Sequence, residues 1–213
     1  MRPAFTTLAG CALAAALALP ATPAPEPVPG PAPQQLIETT ARRLLEALDQ
    51  DRAVAPRDGK RVQRLVDQIL LPHFDTGYSA RLVLGRHWQG ATAEQRRRFV
   101  DAFYQSLLRN YGSALAEFTA DRLTVLPFRG DLAKGQATIR TEVKRRDGTR
   151  VPVNYSMRAT PGGWKAWDVT IEGISYVRNF RNDVGAEVDQ RGLDALIQRL
   201  ERENADGAPA RSG

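Results

Sequence analysis

Apolar positions along the chain first recur at helical steps, then alternate, then return to helical steps. Leu36, Ile37, Leu44 and Leu48 outline one amphipathic helix; Val62, Leu65, Val66 and Ile69 outline a second, stopped by Pro72, with Ala55–Gly59 between them. Asp75 is a fair N-cap for a short helix from about Tyr78 to Leu84, closed by Gly85. The clearest helix starts at Thr92, which forms a capping box with Gln95. Phe99, Val100, Phe103, Leu107, Tyr111, Leu115 and Phe118 then build one large apolar face.

Four strands are expected next, at Arg122–Phe128, Gln136–Lys144, Arg150–Ala159 and Trp164–Ile171. Arg129-Gly130-Asp131, Asp147-Gly148 and Pro161-Gly162-Gly163 supply the turn chemistry of an antiparallel meander. Two short helices follow, one carrying Val177, Phe180, Val184 and Val188, the other Leu193, Leu196, Ile197 and Leu200 after Gly192. Helices, a four-strand meander, then helices define an α+β layout with helices on one face of a twisted sheet.

The hairpin from Arg150 to Ser175 is the most informative segment. Side chains on a strand alternate faces, so Val151, Val153, Tyr155 and Met157 share one side while Asn154, Ser156 and Arg158 share the other. Trp167, Val169 and Ile171 form a second apolar row. The same alternation puts Asp168 on the opposite face, exposed or paired across strands with Arg158 or Lys165. The apolar rows fit two partners, the protein's own helices or a greasy ligand, and the pattern by itself favours the helices, since apolar stripes are usually core.

The N-terminal sequence changes the picture from fold to address. Arg2 followed by the apolar run Leu8–Leu19 reads as an export signal over residues 1–24, and the run is shorter than the ~20 apolar residues a membrane span needs. Leu8-Ala9-Gly10-Cys11 also spells a lipobox, but nearly all of the apolar run follows Cys11, whereas a lipid-anchoring cysteine comes after it. Cys11 is the only cysteine, so neither disulfide nor thiol chemistry is expected of the exported protein. Pro20–Pro33 holds seven of the fourteen prolines, and residues 25–33 read as an extended tether. A single domain over 34–204 and a frayed tail over 205–213 complete the expected organisation.

Charge excludes little. Of the 30 basic residues, 26 are arginine, spread along the chain against 24 acidic ones, with no basic stripe interleaved with aromatics. Nucleic acid is therefore not an expected partner, whereas the basic excess would favour anionic lipid headgroups or an acidic protein surface.

Catalytic chemistry finds few carriers. His73, His87 and Asp75 are the only residues that approach a metal set, and their spacing matches no zinc signature; no metal or cofactor is expected. Ser79, Ser106, Ser113, Ser156 and Ser175 lack a nucleophile-elbow context. Gly85-Arg86-His87-Trp88-Gln89-Gly90 has two glycines but no phosphate-loop pattern. Asp168 supplies the one enzyme alternative, a small-hydrophobe isomerase with a buried aspartate base; a non-enzymatic interaction module is the other.

Several segments resemble the MlaC family of periplasmic phospholipid-binding shuttles. They are Ile69-Leu70-Leu71-Pro72-His73-Phe74-Asp75, Arg81–Trp88, Thr92–Phe99, Tyr111 and Val125-Leu126-Pro127, with Val151–Tyr155, Gly163–Val169, Ile171–Ser175, Asn179-Phe180-Arg181 and Gly192–Ile197. Phe180 departs from the tyrosine expected after Asn179, and Thr76-Gly77-Tyr78 carries an unusual glycine. The resemblance implies a monomeric, non-enzymatic carrier in the periplasm. Its fold would be a cone similar to nuclear-transport factors, enclosing an apolar cavity. Its implied partners are phospholipid, an inner-membrane ABC transporter with a lipid-binding ring domain, and an outer-membrane lipoprotein complex. On that reading acyl chains lie against Phe74, Leu82, Phe103, Leu107, Tyr111, Val143, Val153, Tyr155, Met157, Trp167, Val169, Ile171, Val177 and Phe180, with Arg81 or Arg86 meeting the headgroup phosphate.

Overall fold

The computed structural model describes residues 30–52, 59–115, 123–145 and 147–206. The expected export signal lies outside these residues. Helix α1 (Pro33–Arg52) opens with Pro33, whose fixed φ suits the first helical turn, so the helix begins at the last residue of the expected tether. Helix α2 (Gly59–Leu65) runs into a π-helical turn at Val66–Leu70 and a 3₁₀ turn at Leu71–His73. Pro72 sits in the opening of that 3₁₀ turn, where it lacks no hydrogen bond, so the chain stays helical past it.

Helix α3 (Thr76–Leu84) is capped as expected: the Asp75 carboxylate accepts from the Tyr78 amide at 3.0 Å, and Gly85 closes it. The four-residue helix α4 (His87–Gly90) leads to α5 (Ala93–Leu115). Its capping box is formed in both directions, Gln95 N donating to Thr92 Oγ1 at 3.1 Å and Thr92 N to Gln95 Oε1 at 2.9 Å.

The sheet is a meander, β1 (Leu123–Val125), β2 (Gln136–Lys144), β3 (Arg150–Thr160), β4 (Gly163–Ile171) and β5 (Ile174–Ser175), antiparallel throughout and ordered as in the sequence. It has five strands where four were expected. The fifth is two residues long and returns through Glu172 (φ 52°) and Gly173 (φ 86°), the pair of positive φ angles that a tight two-residue hairpin needs. The first strand is shorter than expected because Pro127 has no amide to donate; Leu126 N makes the last bond toward β2, to Arg140 O at 2.9 Å. Helices α6 (Tyr176–Arg191) and α7 (Leu193–Asp206) follow, separated by Gly192 at φ 82°.

Two bodies of apolar packing result. Helices α3, α5, α6 and α7 share a core around Val83, Leu84, Phe99, Phe103, Leu196 and Ile197. The sheet has its own core, in which Leu36 and Ile37 of α1 cover Ala137, Ile139, Met157, Trp164 and Ala166.

Candidate functional site

The β2–β3 register opposes Ala137 to Met157, Ile139 to Tyr155, Thr141 to Val153 and Val143 to Val151. Because the period of a strand is two, all eight side chains share one face. The one hydroxyl among the residues of this row other than Tyr155 is turned inward on the backbone: Thr141 Oγ1 donates to Val153 O at 2.8 Å. The inner face is thus apolar along its length.

On β4 the register slips. Tyr155 faces Val169 and Ser156 faces Asp168, but Met157 faces Ala166, leaving Trp167 as the extra residue of a β-bulge. This corrects two expectations drawn from strict alternation. Ala166, not Trp167, takes the place beside Met157. Trp167 stands edge-on to Tyr78 of α3 at 5.7 Å between centroids, and with Gln136, Thr138 and Ser156, which belong to the opposite face, it lines a shallow pocket of about 270 Å³. Asp168 is neither exposed nor paired with Arg158 or Lys165. It is 5 % exposed, accepts from Ser175 Oγ at 2.6 Å and from the Val177 amide at 3.0 Å, and so caps the start of α6.

Helix α3 supplies what the bulge leaves unpaired. Ser79 Oγ donates to Trp167 O at 2.5 Å, and the Asp75 amide donates to Ala166 O at 2.7 Å. Arg158 pairs with Asp75 at 2.6 Å and lies over the Tyr78 ring at 4.4 Å. The three residues of the weak metal set are likewise engaged or apart: Asp75 as above, His87 with Asp189 of α6 at 3.4 Å, and His73 with its pKa held down by burial and by Arg43 and Lys165.

The sequence-derived lining residues fall into separate clusters. Val143 and Val153 are buried with Val151, and Tyr155, Val169 and Ile171 adjoin them half-buried. Phe74 and Tyr155 adjoin the cluster under α1 that holds Met157, which is 1 % exposed and sealed. Phe103 stacks on Phe99 at 5.6 Å and meets Phe180 edge-on at 5.2 Å, inside the helical core to which Leu107 and Val177 also belong. Leu82 is half-buried on α3, and the Tyr111 side chain lies outside the described residues. Of the two headgroup candidates, Arg86 is bound to Asp189, while Arg81 is exposed.

The lining set drawn from the sequence omits a fourth cluster. Leu44, Leu45, Leu48 and Val66 are buried together, with Ile69, Leu70, Leu108 and Leu123 half-buried beside them, and Leu123 also touches the Val143–Val153 group. Leu108 was hidden by its neighbour: the helical period selected Leu107, whereas the adjacent leucine is the one turned toward α1, α2 and β1. Leu108, Leu123, Tyr155, Val169 and Ile171, half-buried beside these two clusters, are therefore among the apolar side chains there that keep some accessible surface. Tyr155 is the one of these five with a polar group. Burial alone pushes its hydroxyl pKa up to about 12, and no hydrogen-bond partner meets it among the described residues.

An α+β domain of this build, with one sheet face apolar but for Thr141 and Tyr155 and with the buried strand carboxylate of Asp168 committed to a helix cap, has the parts of a binding module. The chain belongs to the MlaC family, whose model, MlaC protein, matches residues 38–202. It is 28 % identical over 163 residues to the toluene tolerance protein ttg2D of Pseudomonas putida, covering 76 % of this chain and 75 % of that one. It is 22 % identical over 174 residues to the intermembrane phospholipid transport system binding protein MlaC of Haemophilus influenzae, covering 80 % and 81 %. Among solved structures it matches the phospholipid-binding protein of Ralstonia solanacearum in complex with a phospholipid, at TM-score 0.74 and 28 % identity, over 82 % of this chain and 97 % of that one.

Proposed function

We propose that this protein is a non-enzymatic carrier that holds phospholipid by its acyl chains between the sheet and the helices. It would move lipid through the periplasm between the outer membrane and an inner-membrane ABC transporter. The observation that carries the reading is the inner face of β2–β4, apolar from Val143 to Ile171 in a chain whose solved relative is bound to a phospholipid. The physics of transfer supports it. Each methylene left in water costs ~0.8 kcal/mol, so drawing one palmitoyl chain bare from a bilayer costs on the order of 12 kcal/mol. An apolar slot removes most of that barrier with no bond made or broken. The export signal and the basic excess agree with a periplasmic carrier that meets anionic lipid, and Arg81, exposed, is the better candidate for a headgroup contact.

The test is native mass spectrometry of the exported protein purified from cells. Diacyl phospholipid should co-purify near one per chain; a lipid-free protein that also fails to extract lipid from vesicles overturns the reading. The engagement of both Asp168 oxygens at the α6 N-terminus favours the carrier over the isomerase alternative.

A further inference from the structure

We propose that the Tyr155 hydroxyl is a ligand-reading group: it donates a hydrogen bond to a neutral ester carbonyl of the bound lipid and so sets how deep the glycerol end sits. The inference rests on the carrier reading and names a specificity device within it. Tyr155 is central on β3, with Ile139 and Val169 across from it, Val153 and Met157 flanking it, and it packs half-buried against two apolar clusters. Phenol hydroxyls placed among apolar side chains ordinarily find a partner, because the lost hydration is otherwise uncompensated. Tyr155 has no such partner among the described residues, and its oxygen is not one of the sealed polar atoms, so the hydroxyl opens onto accessible space. The nearest hydroxyl on the same face, Thr141, is committed to Val153 O, and no hydrogen bond to Tyr155 occurs. A phenylalanine would pack as well against these neighbours, and the hydroxyl, accessible and without a partner among the described residues, is open to an acceptor on a ligand.

The chemistry of the partner follows from the surroundings. With its pKa pushed to about 12, the phenol stays protonated and offers a donor at any physiological pH. An acceptor is required. A phosphate would bring a full charge into a site whose neighbours in both clusters are apolar, and Arg158, three residues on along β3, faces Asp75 and Tyr78 instead. The ester carbonyl at the root of an acyl chain is neutral, a good acceptor, and is carried past this point by the chain it heads. Ether-linked lipids have the same hydrocarbon but a much poorer acceptor. The residue should therefore separate the two.

The experiment compares wild type with Tyr155→Phe in displacing a fluorescent lipid probe by dipalmitoyl phosphatidylglycerol and by its dihexadecyl ether analogue. Wild type should prefer the diester by five- to tenfold, and Tyr155→Phe should lose that preference by weakening for the diester alone. Equal weakening for both, or no change, overturns the proposal. Infrared spectra with carbonyl-labelled lipid give a second readout: the bound ester band should be lowered in wild type and not in Tyr155→Phe. A band unaltered by the substitution refutes the hydrogen bond whatever the affinities show. A wild type that binds neither lipid defeats the carrier reading itself, whereas one that binds both without discrimination defeats only this inference.

Discussion

Replacing Asp168 by alanine separates a structural carboxylate from a chemical one. The side chain is 5 % exposed and accepts two hydrogen bonds, from Ser175 Oγ at 2.6 Å and Val177 N at 3.0 Å, while Ser175 Oγ itself accepts from the Arg178 amide at 3.1 Å. Two of the orphan amides that open α6 are thus satisfied by one relay from β4. Hydrogen bonds to a charged group contribute ~1.5–3 kcal/mol each, and the negative charge gains further from the helix N-terminus. Because the two bonds share one relay they will not simply add, and Asp168→Ala should cost about 3 kcal/mol. Asp168→Asn, which keeps an acceptor for the Val177 amide, should cost ~1–2 kcal/mol. In a domain of this size each kcal/mol moves the midpoint by ~2–4 °C, so alanine should lower Tm by roughly 6–12 °C. Urea unfolding followed by far-ultraviolet circular dichroism gives the free energies, and lipid binding by the protein still folded at low temperature should be intact. A loss below ~1 kcal/mol would refute the capping role. So would loss of ligand handling with unchanged stability, which would return Asp168 to chemistry.

Val169→Trp should abolish most lipid co-purification with little loss of stability, since Val169 is half-buried on the accessible face; Met157→Trp should instead destabilise by ~1–3 kcal/mol, because that site is sealed under α1. Native mass spectrometry and urea titration of the two variants distinguish the outcomes. His73, whose folded pKa lies below its unfolded one, binds its proton more readily when unfolded, so its contribution to stability rises with pH. Between about pH 5 and 7 the urea midpoint of wild type should therefore climb more steeply than that of His73→Gln, and parallel curves would contradict the burial of His73 as the cause. Arg86→Ala should leave lipid affinity unchanged and shift stability by less than ~1 kcal/mol, as an exposed pair with Asp189. Arg81→Ala should weaken binding to anionic vesicles in a flotation assay, and equal effects of the two would remove Arg81 from the headgroup.

Periodicity carried the fold where one rule governed a whole element. The capping box at Thr92 and Gln95, the Asp75 cap of α3 and the paired rows of β2 and β3 form as read, because each depends on neighbours in sequence or on strict alternation. What escaped depends on partners far along the chain. The bulge at Trp167 is specified by α3, whose Ser79 and Asp75 take up the carbonyls that β3 leaves free, 88 residues away in the case of Ser79 and Trp167. The β5 return was missed because Glu172 holds the positive φ that asparagine or aspartate usually marks. The accessible apolar surface was half legible: Tyr155, Val169 and Ile171 follow from the strand pattern, whereas Leu108 and Leu123 owe their place to where α2 and its π-helical turn lie across them.

The bulge also explains how one strand serves two bodies at once. Without it, alternation from Ala166 would send Trp167 outward and Asp168 inward, placing a carboxylate beside Tyr155 on the face that has to stay apolar. The extra residue restores the phase: Ala166 and Val169 both face the inner row, while Trp167 meets Tyr78 of α3 and Asp168 meets the start of α6. The helical core is thereby anchored through polar and aromatic contacts that never enter the inner face. A single deletion at Trp167 should consequently leave Ala166, Asp168 and Val169 on their present faces in regular alternation, keeping the α6 cap, and should cost the pair with Tyr78 and the Ser79 bond to the Trp167 carbonyl. Substitution by leucine, which keeps the carbonyl that Ser79 bonds, should lose the ring pair alone.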